Sequence, residues 1–441
     1  MASVHSDGGA SLMAHRSFVA FWLARTCSGF GFQMLSIVVG WQIYALTHSA
    51  FYLGLIGLVQ FLPSITLALW AGHIADQRDR RRVVLIGQLV EWLAIAALTA
   101  ATVAHLADVK IILGLIFIIS VAKVMEAPSL QSMLPALVPP SLLARATAAS
   151  AVSSQAAMIM GPALGGLLYV FGAQVVYALT AVLYLISVVM VSRLRYEQAP
   201  PARQPASLAT LFAGVKFIRE RPDVLGVISL DLFAVLLGGA TALLPIYAHD
   251  ILHTGPWGLG LLRAAPAVGA LLVGFWLSRR SLEKHVGMIM FLSVAGFGVA
   301  TLVFALSSNL WLSLIALFAT GGFDMVSMVI RGALVQLDTP NEMLGRVNAV
   351  NSIFINTSNQ LGEFESGMLA ALLGTVPLRP LAVSARWWSS GSGCACFRRC
   401  VNASAWKKPP PDPTQRLLRK AFLRDVTKNL SLLLPLYPDR V

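Results

Sequence analysis

Glu126, Asp231, Asp324 and Glu363 are acids inside or at the edge of long apolar stretches. Hydrocarbon penalises the charged form of a carboxyl group, so an acid placed there stays neutral until water or a counter-charge reaches it. It can then release a proton, and the chemistry on offer is proton carriage. Asp231 shares a helical face with Val235 and Gly238 and is the first candidate for a proton-coupling acid, followed by Glu126, Asp324 and Glu363. A structural pair with Arg25 or Arg263 is the alternative for Asp231. For Lys123 and Glu126, three apart on one helix, a local ion pair is the simpler reading. Asp324 and Arg331 lie seven apart on one face, as members of a gate would.

Two polar stripes accompany these acids. Arg25, Gly29, Gln33, Ser36 and Gly40 recur at steps of three and four, and so do Asn348, Ser352, Asn356, Asn359 and Glu363, so each set shares one helix face. Enzymatic motifs are missing: the chain has no nucleotide-binding P-loop, no H-E-x-x-H and no serine elbow, and its eight histidines are scattered. Of four cysteines, Cys27 lies in an apolar stretch, while Cys394, Cys396 and Cys400 crowd together without the further ligands a zinc site needs. No cofactor is expected. Without an ATP site, work must draw on an ion gradient or on the gradient of the cargo.

Such residues need a scaffold that crosses a bilayer. The chain is 57% hydrophobic and 12% charged, with a mean hydropathy of +0.73, far from the roughly one quarter charged residues of soluble proteins. Stretches of spanning length fall at 18–46, 51–70, 83–103, 111–126, 146–170, 175–191, 224–248, 259–277, 286–306, 310–330 and 347–373, predicting an all-α membrane protein of about eleven spans. The fourth is short and requires Lys123 and Glu126 to face protein. The first fifteen residues are small and polar, and the first apolar stretch outruns a signal-peptide core, so it is read as a retained span. The net charge of +13 does not mark a nucleic-acid binder, because 374–441 alone carries +9 and the other 373 residues only +4.

Lysines and arginines between the spans set the orientation. With the N-terminus in the cytoplasm, 17 of them fall inside, against Lys110 alone outside. Residues 194–222 form a linker whose Leu208, Leu211, Phe212, Val215 and Ile218 recur at helical spacing behind Ser207, as in a helix lying on the inner membrane surface. The segment from Pro139 to Ala148 matches that from Pro340 to Ala349 at a shift of 201, so the two halves look like copies.

The run Gly72-His73-Ile74-Ala75-Asp76-Gln77-Arg78-Asp79-Arg80-Arg81-Arg82 resembles the major facilitator superfamily signature G-x-L-A-D-R-x-G-R-R/K between the second and third spans. Gln77 and Asp79 depart from it, in place of arginine and glycine. LARTCSGFGFQMLSIVVGWQIY, LDLFAVLLGGATALLPIYA and LGLLRAAPAVGALL are similar to the bacterial subgroup that contains the enterobactin exporter and related drug or siderophore exporters, and the likeness covers about residues 15 to 373. It implies two six-helix bundles related by pseudo-symmetry, with substrate between them and access alternating by rocking. Both polar stripes would then line the central cavity. Gly72, Asp76, Arg80, Arg81 and Arg82 would act as a conformational latch, Asp76 by accepting from the amides of a neighbouring helix start and the arginines by pairing with acids across the two halves. The plainer reading is that the arginines enforce topology and bind lipid phosphates. Gly161, Pro162, Gly165 and Gly166 resemble the antiporter-type motif of the fifth span and tilt the reading toward export, with small-residue helix packing as the alternative.

The organisation read from the sequence is a disordered N-terminus at 1–15, a helical bundle at 16–193, the linker at 194–222, a second bundle at 223–373 and an aberrant basic tail at 374–441. Where a twelfth span belongs, the tail has no apolar run of spanning length. A shifted reading frame near Thr375 accounts for that, and a natural disordered or amphipathic tail is the alternative. The expected activity is proton-coupled export of a small amphiphilic molecule at the bacterial inner membrane, with lipids as neighbours, no nucleic-acid partner and no required oligomer. The competing class is a non-transporting receptor or assembly partner, or a decayed transporter lacking its last helix.

Overall fold

The computed structural model of the chain describes residues 12–194, 216, 218–219, 240–279, 286–339 and 341–373. The described residues are helical, with no strand among them. They fall into two compact units, Met1–Ser207 with Gly255–Ala264, and Leu208–Thr254 with Ala265–Val441. Of the described helices, seven are long and apolar enough to cross a membrane. Ten of the eleven expected stretches coincide with helices, and the seventh, 224–248, is described only from Ala240 onward. Asp231, most of the linker and the whole of 374–441 lie outside the described residues.

The first unit holds α1 (Arg16–Thr47), α2 (Ala50–Gln77), α3 (Arg80–Val103), α4 (Val109–Met133), α5 (Leu143–Leu168) and α6 (Ala173–Ser192), with the opening turns of α7 (Gly255–Ser278). The helices begin and end where the backbone finds partners. Asp79 accepts from the amides of Arg81 and Arg82 at the start of α3, and Asp108 from that of Val109 at the start of α4. His48 closes α1 in the left-handed conformation, and Gly172 at φ 101° turns the chain into α6. Hydroxyls inside the spans turn back on their own helix: Thr26, Ser64, Thr99 and Ser120 each donate to the carbonyl four residues earlier, which satisfies them where no water is at hand.

The packing is inverted relative to a soluble protein. Leu62, Ile65, Trp70, Ile86 and Leu93 are exposed, while Gln88, Glu91, Glu126, Thr180 and Ser187 are buried. An apolar outer surface is stable only against hydrocarbon, so the pattern is that of a membrane bundle. At the end that bears the arginine turn, Phe18, Phe21 and Ala24 of α1 meet Val84, Met133, Leu137, Ala146 and Val191 in one buried cluster. That plug holds the starts of α1, α3 and α5 against the ends of α4 and α6.

The second unit holds the rest of α7, then α8 (Val286–Leu306), α9 (Leu310–Asp338) and α10 (Asn341–Leu373), with short helical turns over Ala240–Ile251. Asn309 caps α9 by accepting from the amides of Trp311 and Leu312. Pro266 and Gly269 of α7 lie directly on Gly321, Gly322 and Phe318 of α9, with no room for a side chain at either glycine seam. Of the expected linker helix, Lys216, Ile218 and Arg219 are described and helical, with Ile218 buried between two exposed cations.

Candidate functional site

The chemistry of the first unit concentrates on the inner face of α3. Val84, Gly87, Gln88, Glu91, Ala94, Ile95 and Leu98 are its buried residues, spaced at threes and fours. Glu91 is only 1% exposed and Gln88 0%, so an acid and an amide are carried into the middle of the bundle. From α4 come Lys123 and Glu126, the latter 5% exposed. Lys123 interacts electrostatically with both carboxylates, and its Nζ sits 2.9 Å from the centroid of the Phe32 ring of α1. From α6 comes Tyr184, fully buried, whose hydroxyl approaches Glu91. Gly31 of α1 makes room for that ring: a Cβ there would lie 2.9 Å from Tyr184 Cε2.

The expected local ion pair between Lys123 and Glu126 is not what forms. Ion pairs join Arg82 to Asp79 and His249 to Asp250, whereas Lys123 stands over an aromatic face and interacts with two acids. Neither oxygen of Glu91, nor Glu126 Oε2, nor Gln88 Nε2 has a hydrogen-bond partner among the described residues. One step further out, Ser187 Oγ lies 2.7 Å from Gln88 Oε1 and 2.8 Å from the Ala24 carbonyl, tying α6 to α3 and α1. On its other side α3 borders an apolar groove of about 470 Å³ walled by Ile74, Val83, Ile86, Phe117 and Met125. Gly87 borders both places, since a Cβ there would meet Glu126 Cβ at 3.0 Å.

Glu91 was not among the residues singled out in the sequence. The signal was present, as an acid within the 83–103 stretch with Gln88 one turn before it, but its meaning depends on Lys123 and Tyr184, which reach it only through tertiary packing.

The arginine turn is placed at the start of α3. Arg81 donates through Nε to the Val191 carbonyl at 3.2 Å and through its guanidinium to that of Ser192, closing the last turn of α6. Arg80 reaches the Ala75 and Ser132 carbonyls, both at 3.4 Å, and Arg82 pairs with Asp79 at 3.5 Å. Asp79, the residue that replaces the signature glycine, accepts from the start of its own helix. Asp76 and Gly72 sit in the last turns of α2.

Gly161 and Gly165 seat α5 on α1: a Cβ at Gly161 would lie 2.6 Å from Gln33 Cβ, and one at Gly165 would lie 3.1 Å from Met34 Cα. Gly166 faces Pro256 and Gly260 at the start of α7, and a Cβ at Gly260 would lie 2.6 Å from the Pro162 carbonyl oxygen. Gly29 and Gln33, expected to line a cavity, thus turn toward Ala157 and Gly161. Arg25 is half-buried one turn away. In the second unit Arg331 is buried and Asp324 half-buried on α9, while on α10 Asn359 is exposed and Glu363 is half-buried, accepting from Thr241 Oγ1 at 3.4 Å. Asn356 lies on the same helix, three residues before Asn359.

A buried acid and lysine trio in a bundle with an apolar exterior sets the frame for comparison with known proteins. The profile of transmembrane secretion effectors matches residues 8–385. The chain belongs to that family, within the major facilitator superfamily. Among curated relatives, the enterobactin exporter EntS of Citrobacter koseri is 25% identical over 366 residues, covering 83% of this chain and 88% of that protein, and the EntS of Escherichia coli O81 is 26% identical over the same span. Among solved structures, a bacterial homologue of the iron transporter ferroportin in an inward-facing state superposes with a TM-score of 0.66 at 17% identity, covering 89% of this chain and 99% of that one. The nucleoside transporter NupG superposes with a TM-score of 0.63 at 15% identity, covering 87% and 99%. These likenesses fix the fold as that of the major facilitator superfamily. The chain is a multi-pass transmembrane transporter of a small molecule and not an enzyme.

Proposed function

We propose that this transporter is a secondary active exporter that moves a small amphiphilic molecule of the drug or siderophore type out of the cell in exchange for protons, by alternating access. The observation that carries the reading is the likeness to an enterobactin exporter over most of both chains. The small-residue seam of α5, formed by Gly161, Pro162, Gly165 and Gly166, supports the outward direction, because it resembles the antiporter-type motif. The protein sits in the bacterial inner membrane with its N-terminus in the cytoplasm, as the 17 to 1 distribution of loop cations supports. Protons travel by way of acids in the spans, with Arg25, Gln33, Glu126, Asp231, Asp324, Asn356, Asn359 and Glu363 along the route. Gly72, Asp76, Arg80, Arg81 and Arg82 latch one access state.

The test is accumulation of candidate cargo in a deletion strain with and without the plasmid-borne gene, followed by uptake into everted vesicles under an imposed pH gradient. Raised accumulation in the deletion strain and gradient-dependent vesicle uptake are expected. Equal accumulation with and without the gene overturns export. One feature favours the competing reading of a decayed or non-transporting member: no apolar run of spanning length follows Leu373. Complementation by the recorded chain separates the two.

A further inference from the structure

We infer that Glu91, Glu126 and Lys123 form one proton-binding site, wholly within the first bundle, that is electrically neutral when the two carboxylates hold a single proton between them. For its place in transport this rests on the proton exchange proposed above. As a property of the protein it stands on the burial of these groups, the orphaned carboxylate oxygens and the place of Lys123 over Phe32. Two acids face one lysine in a region closed to solvent, with Glu91 1% and Glu126 5% exposed. Lys123 carries one positive charge, which neutralises one carboxylate. A second anion would be stranded in a medium that penalises uncompensated charge, so it holds a proton instead.

The partners that face the trio are few. From α3 comes Glu91; from α4, Lys123 and Glu126; from α6, the Tyr184 hydroxyl; and from α1, the ring of Phe32. Arg25 of α1 has no charge partner in the group. His73 of α2, which packs on α4, lies toward the arginine-turn end of that helix and is not among the electrostatic partners of the trio. Phe32 occupies a face of the ammonium that a third anion would otherwise take, and both Glu91 oxygens and Glu126 Oε2 lack a hydrogen-bond partner among the described residues. The trio therefore has one exchangeable position. Its proton departs to water when a cationic group of the cargo reaches the carboxylates, leaving the lysine, two carboxylates and the arriving cation in balance.

Charge counting makes the site testable without knowing the cargo. Full-length protein is purified in detergent with glutamate isotopically labelled at the side-chain carboxyl carbon, so that Asp231 and Asp324 are silent, and its carboxylic-acid infrared band is titrated with pH. Above the contribution of Glu363 and Glu365 of α10, which is common to all the variants, wild type is expected to show one further buried glutamic acid. Glu91→Gln or Glu126→Gln leaves a neutral Lys–Glu pair, so that further band vanishes while the protein stays folded. Lys123→Met leaves two neutral acids, so the band doubles and persists to higher pH. Glu91→Gln with Glu126→Gln strands the lysine and lowers the yield of folded protein, and adding Lys123→Met restores it. A band unchanged in both single glutamine variants, or not increased in Lys123→Met, overturns the site. If a single variant fails to fold, the neutral pair Lys123→Met with Glu91→Gln, expected to retain one acid at all pH values tested, decides instead, and its loss of the band counts against the site. A normal band together with unchanged cellular accumulation would sink the exporter reading and leave the site standing. Transport with an unaltered band in the variants would do the reverse.

Discussion

Two groups of charge lie on α3, eleven residues and roughly 16 Å apart along its axis. At its start, Asp79 and Arg80 to Arg82 are anchored to backbone: the acid caps its own helix and the arginines reach carbonyls of α2, α4 and α6. In its middle, Glu91 has no hydrogen-bond partner among the described residues and relies on one lysine shared with another acid. Charges at the ends of spans have polar backbone and water at hand, so they are satisfied locally. A charge in the middle is expensive, and its persistence there points to a role that needs it to change state. Breaking this contrast means showing that the two groups respond alike to substitution.

The largest effect is expected where compensation fails outright. Glu91→Gln with Glu126→Gln leaves Lys123 buried without an anion, and removing the partner of a buried charge costs about 3–5 kcal/mol. Thermal unfolding followed by a tryptophan or thiol-reactive dye should show a collapse in stability that Lys123→Met reverses. No comparable loss should follow from any single change at the arginine turn. A double variant as stable as wild type would mean that the lysine is solvated and that the middle of α3 is no different from its start.

Next come the glycine seams, which set how closely the helices carrying these groups approach one another. Gly161→Val places side-chain atoms against Gln33, whose Cβ is already 2.6 Å from where a Cβ at 161 would stand. Overpacking of this kind costs about 1–3 kcal/mol. Because the clash is between α5 and α1, the same substitution should also slow transport in vesicles. Intact rates with lowered stability would reduce the seam to packing.

How much of this was legible beforehand follows from the range of each interaction. The apolar stretches are local patterns, so composition and length located them, while the arginine turn and the α5 glycines were marked by their resemblance to family motifs. The caps Asp79, Asp108 and Asn309 precede apolar runs, yet that they accept from the first amides shows only in the structure. The trio was only half visible. Lys123 and Glu126 are neighbours on one helix and suggested a local pair, whereas Glu91 and Tyr184 join them from 32 and 61 residues away from Lys123, a relation no window of sequence displays. For the stripe of α1, spacing shows that Gly29 and Gln33 share a face, and only the structure shows that Ala157 and Gly161 of α5 are their neighbours.

The smaller effects belong to the arginine turn and sharpen the comparison from its other side. Asp79→Ala removes the acceptor for the Arg81 and Arg82 amides, a change worth about 1 kcal/mol at a helix N-cap, whereas Asp79→Gly restores the signature residue and should cost only a few tenths of that scale. The order of melting temperatures, wild type above Gly above Ala, checks whether the acid acts as a cap. Arg82→Ala should be the mildest of all. Its pair with Asp79 at 3.5 Å is between side chains 81% and 42% exposed, and such pairs contribute between nothing and about 1 kcal/mol. An Arg82→Ala protein that melts like wild type yet inserts with its turn on the wrong side of the membrane, seen by accessibility labelling of a cysteine placed beside it, would assign that arginine to topology alone. A large stability loss instead would show that the start of α3 depends on ionic contacts as its middle does, and the distinction between satisfied ends and strained middle would lose its physical basis.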